Sequence, residues 1–134
     1  MTPNNPFNQY KENSIYTASS EELTLMLYNG IIKFVMLAQT AIDNKAIEKI
    51  HNNITRAKDI ISELQLTLDK NYEVSNNLAL LYDYMSRRLV EANVKKDKAI
   101  LEEVLELVKD LRDTWAQAIK LARQQHGSMQ QIAK

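Results

Sequence analysis

The run from Ser19 to Asp43, SSEELTLMLYNGIIKFVMLAQTAID, constrains the fold more than any other stretch of the chain. Ser19 followed by Glu22 is a capping box, in which the serine oxygen accepts from the Glu22 amide and the glutamate turns back to the Ser19 amide. A helix therefore starts at about Ser20. Between Leu23 and Ile42 the only charged side chain is Lys33. At about 100° per residue, Leu23, Leu27, Ile31, Phe34, Ala38 and Ala41 share one face, the stripe a helix turns toward a core. Leu25, Ile32 and Met36 project to the opposite side, flanked by Tyr28 and Val35. A membrane span needs about 20 predominantly apolar residues. Thr24, Asn29, Lys33, Gln39 and Thr40 interrupt this run, so membrane insertion is not expected. The expectation is a helix covered on two sides, by its own bundle on one and by a partner on the other.

The rest of the chain supplies that bundle. Both prolines lie within the first six residues and only two glycines occur, which leaves little to punctuate strands or long loops. Residues 18–126 are read as one domain of four helices joined by short turns. Helix two follows the turn at Asp43–Lys45 and runs to about Asp69, with Ile47, Ile50, Ile54, Ala57, Ile61, Leu64 and Leu68 as its stripe. Helix three follows Asp69–Glu73 and runs to about Lys95 on Leu78, Leu81, Tyr82, Met85, Leu89 and Ala92, with Leu80 and Tyr84 on an adjacent face. Asp97 caps helix four, which runs to about Gln125 on Leu101, Val104, Val108, Leu111, Trp115, Ala118 and Ala122. Gly127 is its expected stop, and residues 127–134 are expected to be a flexible tail. This is an all-α, antiparallel four-helix bundle. Residues 1–17 are rich in Asn and lack helical period, yet Phe7, Tyr10, Ile15 and Tyr16 are too apolar for a solvated tail. They are read as a partly ordered N-terminal arm that docks on the bundle.

Chemistry is scarce. Without cysteine there is no disulfide, thiol nucleophile or thiolate metal site. A di-iron bundle needs two Glu-x-x-His pairs. Glu48 and His51 match one, but the other histidine, His126, has Arg123 in the glutamate's place. Ser62, Ser75 and Ser86 have no histidine placed near them by the pattern, so neither an enzyme nor a cofactor is expected. The 17 basic and 17 acidic residues balance, which argues against nucleic acid as a partner. No apolar leader opens the chain, and a cytoplasmic domain is expected. The six tyrosines suit half-buried interface positions, and the residues alone point to a bundle that binds a partner helix or itself.

Four stretches then carry a resemblance: NSIYTASSEELTLMLYNGIIKF (residues 13–34), RAKDIISELQLTLD (56–69), LALLYDYMSRRLVEANVKKD (78–97) and LRDTWAQAI (111–119). In this order they resemble the FliS family of flagellar secretion chaperones. Ser20 stands where that family often has proline, a preorganising residue at the first helical position. The resemblance implies a cytoplasmic chaperone of the flagellin C-terminal segment. It implies that the segment is kept from polymerising, folds as a helix on the bundle and is delivered to the flagellar type III export apparatus. It implies no cofactor, and an N-terminal arm that occupies part of the binding surface until flagellin displaces it. The partner-binding residues expected are Tyr10, Ile15 and Tyr16 of the arm, Leu25, Tyr28, Ile32 and Met36 of helix one, and Leu80, Tyr84, Arg87 and Arg88 of helix three. Arg87 and Arg88 come from the family motif. A homodimer through the same apolar face is the alternative from a different class.

Overall fold

The structure is a computed structural model and describes residues 19–132, with side chains described through Gly127. Four helices follow one another: α1 Ser20–Asp43, α2 Ile47–Thr67, α3 Glu73–Lys95 and α4 Lys98–Ile132. Phe7, Tyr10, Ile15 and Tyr16 of the arm lie outside the described residues.

Local signals place the helix ends. The Ser19 side chain accepts from the Glu22 amide at 3.2 Å. The Glu22 carboxylate, which a capping box would turn back on itself, takes the Arg123 guanidinium of α4 at 2.5 Å. Asp97 Oδ1 accepts from the Ala99 amide at 2.9 Å at the start of α4. Lys45 and Lys96, in the two turns at one end of the bundle, have φ of 54° and 52°. That left-handed conformation closes a tight reversal at a conformational cost for a residue with a Cβ.

Such short turns make sequential helices antiparallel neighbours. α1 packs against α2 and α4, and α3 closes the bundle between the same two helices. Lys98 meets Asp43 at 2.8 Å where α4 begins beside the end of α1. The Trp115 indole donates to the Glu21 carbonyl at 2.9 Å near the other end. Gly30 lies where α1 meets α2, and a Cβ there would stand 3.0 Å from Ile60 Cδ1. Diagonally across the core, the Tyr28 and Tyr82 hydroxyls are 2.6 Å apart.

The core departs from the expected stripes in three places. On α1 the buried residues are Tyr28, Ile31, Ile32, Val35, Ala38 and Ala41, whereas Leu23, Leu27 and Phe34 are only partly buried. The buried arc is wider and rotated because α1 has two neighbours within its own bundle. Tyr28 and Ile32, expected on the partner's side, are core residues here. Although α1 is long and apolar enough by composition to cross a membrane, it is a bundle helix in this structure. On α2, Ile47 is exposed, since it precedes the first residue that reaches the core, Ile50. On α4, Ala118 and Ala122 are exposed and the helix continues through Gly127 to Ile132. One glycine costs a helix only about 1 kcal/mol relative to alanine, too little to end one that has no competing turn. At 35 residues α4 is about 52 Å long against about 36 Å for the 24-residue α1, so its last turns outrun the bundle.

Candidate partner-binding surface

Burial on one face and exposure on the other decide what a helical bundle can bind. Eleven large apolar side chains are exposed among the described residues. Six of them belong to α3 and the tyrosine before it: Tyr72, Val74, Leu80, Tyr84, Val90 and Val94. Leu80, Arg87 and Val94 recur every seven residues and so lie along one line of the helix. Leu80 is 70% and Val94 78% exposed, far more than a side chain packed by its own fold. This line runs about 21 Å, four turns of helix. On α1 the exposed apolar residues are Met36 and Leu37, on α2 Ile47 and Leu66, and on α4 Leu121.

The residues expected to bind a partner therefore fall into different places. Leu80 and Met36 are exposed, Leu25 is partly buried, and Tyr28 and Ile32 are buried. Tyr84 lies at the margin, its ring partly open and its hydroxyl donating to Glu103 at 2.6 Å. Arg87 is exposed and pairs with Asp83 one turn away at 3.0 Å. Arg88 is turned toward α4, bonded to Glu91 at 2.5 Å and to Glu103 at 3.1 Å. The structure thus brings Leu80, Tyr84 and Arg87 onto one helix surface and separates them from Tyr28 and Ile32. A reading by apolar stripes passes over Val74, Val90 and Val94, which lie off the core period of α3. Their signal is β-branched residues on a face that solvation alone would fill with polar groups.

Electrostatics bind α3 to α4 along one seam. The hydrogen bond from Tyr84, followed by the Arg88 guanidinium, holds the Glu103 carboxyl below its ordinary range. The same bond raises the Tyr84 hydroxyl. Glu91 is lowered chiefly by its bond from Lys95, with Arg88 adding to it. The Arg88 guanidinium is therefore held by the fold, whereas Arg87 keeps an open side. On α1, the lone cation Lys33 and Arg56 of α2 stand 5.5 and 5.6 Å from the Phe34 ring centroid, a distance at which cation–π attraction operates.

Two adjoining hollows open where the start of α1, the α2–α3 turn and Trp115 converge. The outer one, about 510 Å³, is bordered by Ser20, Leu23, Leu27 and Asp69. The inner one, about 240 Å³, reaches down to Tyr28 and Tyr82. They share Thr24, Thr67, Asp69, Tyr72 and Trp115. Burial raises both the Tyr28 and the Tyr82 hydroxyl above the ordinary phenol value. Of Glu48 and His51, His51 meets α3, its Nδ1 2.9 Å from the Asn93 carboxamide nitrogen, and Glu48 is exposed. No group of three or more His, Cys, Asp or Glu converges among the described residues.

Known proteins match this sequence and this fold. The family model described as "Flagellar protein FliS" matches residues 3–122. The flagellar secretion chaperone FliS of Bacillus subtilis is 49% identical over 129 residues, 96% of this chain and 97% of that protein. The chaperone of the same name from Escherichia coli is 30% identical over 111 residues, 81% of this chain and 82% of the other. A solved structure titled "Crystal structure of flagellar chaperone from bacteria" superposes with a TM-score of 0.72 at 19% identity. It covers 86% of this chain and 95% of its own, and supports the bundle architecture. A family match over most of the chain, with a relative near half identical over nearly its full length, shows that the chain belongs to the FliS family of flagellar secretion chaperones.

Proposed function

We propose that this chain is a cytoplasmic export chaperone that binds the C-terminal segment of flagellin, prevents its premature polymerisation and delivers it to the flagellar type III export apparatus. The observation that carries this reading is the line of exposed apolar side chains on α3, in a member of a flagellar chaperone family. FliS is a family of chaperones and not of enzymes. A segment that folds on binding loses ordering entropy, on the order of 2–5 kcal/mol or more. Burial of side chains such as Leu80 and Val94 offsets that loss at about 25 cal/mol per Å² of apolar area. Helix-in-groove recognition uses anchors at three- and four-residue spacing, and the partner segment lies along α3 and reaches Met36 of α1, on the diagonally opposite helix, only by wrapping around the bundle. Arg87, open on one side, takes an acidic group of the client. Residues 1–17, with Tyr10, Ile15 and Tyr16, serve as a placeholder over part of this surface.

Calorimetric titration with the C-terminal segment of flagellin from the same organism tests the proposal. One-to-one binding with a large negative heat-capacity change is expected, the mark of apolar burial coupled to folding. Absence of binding at high protein concentration, together with a stable dimer, replaces this reading with self-association. Deleting residues 1–17 is expected to increase hydrophobic-dye binding and to change client affinity. If neither moves, the arm is not a placeholder.

A further inference from the structure

The Tyr28 and Tyr82 hydroxyls form a pair with more hydrogens than bonds. Each phenol is 2% exposed. They lie 2.6 Å apart, and either can be the donor. Whichever donates, the other keeps its own hydrogen, and no other hydrogen bond engages either group among the described residues. A buried donor without an acceptor is costly, and these two border the floor of the inner hollow. Its remaining walls are mainly apolar, with Leu64, Leu78 and Trp115 among them. At about 240 Å³ it is roomy, since a dry apolar cavity of about 150 Å³ already binds benzene.

The sequence accounts for this space. The core period of α3 runs Ser75, Leu78, Tyr82, Met85, Leu89, Ala92. Its first position is filled by a serine that is 6% exposed, where a leucine would fill the volume. The hollow is thus mainly apolar, and the spare phenolic hydrogen of the Tyr28–Tyr82 pair is a buried donor on its wall, with Thr24, Thr67, Asp69 and Ser75 as its other polar neighbours. Tyr72, which borders both hollows, is 63% exposed.

We propose that this hollow is a socket for one bulky side chain of the bound partner segment, apolar along its length and carrying a hydrogen-bond acceptor at its tip. The inference rests on the partner-binding reading above and deepens it by naming the chemistry that one anchor must have. A wholly apolar side chain fills the hollow but leaves the phenolic hydrogen unmatched.

Acetophenone and α-methylstyrene are a matched pair of probes, differing only by a carbonyl oxygen in place of a methylene. Each is titrated into the full chain while the indole N–H signal of Trp115, the sole tryptophan, is followed by NMR. Saturable shifts are expected for both, with acetophenone favoured by about 2- to 10-fold, the range one neutral hydrogen bond contributes. Tyr28→Phe and Tyr82→Phe alone each leave one free donor and should keep the preference. The double variant Tyr28→Phe/Tyr82→Phe should lose it. That variant is expected to fold, because replacing both partners of a hydrogen bond by apolar groups of the same shape is nearly neutral. No saturable shift in the wild type, or a preference that survives the double variant, overturns the proposal. Saturating acetophenone should also weaken binding of the flagellin C-terminal segment. If the segment binds unchanged, the socket is not part of the partner's track. If the segment does not bind at all while acetophenone behaves as described, the client reading fails and the acceptor-specific site remains.

Discussion

Helices α1 and α3 are of nearly equal length, 24 and 23 residues, yet they have opposite fates. The interior of α1 carries one charge, and the fold absorbs it: Ile31, Val35 and Ala38 have no exposed surface, and Met36 and Leu37 are what remains outside. α3 carries Asp83, Arg87, Arg88, Glu91 and Lys95 along its length and still leaves Val74, Leu80, Tyr84, Val90 and Val94 exposed. Apolar content therefore measures how many neighbours a helix needs, not whether those neighbours come from the same chain. α1 touches α2 and α4 along its length and holds the core together. α3 lies diagonally opposite and gives its inner face to the core, its Tyr84–Arg88 side to α4 and its outer line to solvent.

The largest effect should come from breaking α1. Ile31→Ala is expected to destabilise the protein by about 2–5 kcal/mol, as large-to-small core changes do, read as a lower urea midpoint with unchanged slope. A loss below about 1 kcal/mol, the size of an average point substitution, would mean that α1 is not the tightly packed partner described here. The bond between the two helices is next. Tyr28→Phe leaves the Tyr82 hydroxyl buried without its partner, a cost of about 1–3 kcal/mol, whereas adding Tyr82→Phe should recover most of it. Chemical denaturation of the single and double variants gives the coupling directly.

Leu80→Ala and Val94→Ala on α3 should do the reverse of the α1 change. Stability should move by no more than about 0.5 kcal/mol, as at exposed sites generally. Affinity for the flagellin C-terminal segment should fall, by more than about fivefold if either residue is an anchor worth over 1 kcal/mol. Unchanged affinity in the combined variant would move the binding track off α3. The smallest effect is electrostatic. The folded Glu103 carboxyl titrates below its ordinary value, so its contribution is present above the ordinary carboxylate range and is lost as pH falls through the folded value. Glu103→Gln should therefore flatten the loss of stability between about pH 6 and about pH 3. Screening at this exposed site keeps the difference small.

Much of this was legible in order along the chain. The capping serine, the three- and four-residue spacing and the near absence of proline and glycine depend on neighbours close in sequence, and they place four helices within a residue or two of their observed starts. Val90 and Val94 were not legible, because a residue off the core period carries no signal of its own until the opposite face is known to be full. The burial of Tyr28 and Ile32 was not legible for the converse reason. The projection gave the bundle only one of the two covered faces of α1, whereas both are covered within its own bundle.

The amino-acid sequence by itself determined the helices, their antiparallel order and, through LYDYMSRRLVEAN and its companion stretches, the family. Those properties follow from local hydrogen bonding, periodicity and short turns. Tertiary structure alone decided which apolar residues stay exposed, that Arg88 is held by α4 while Arg87 stays open, and that two tyrosines 54 residues apart share one bond at the wall of a hollow. Exposure is a property of what packs opposite, and nothing in a helix's own sequence specifies its neighbour.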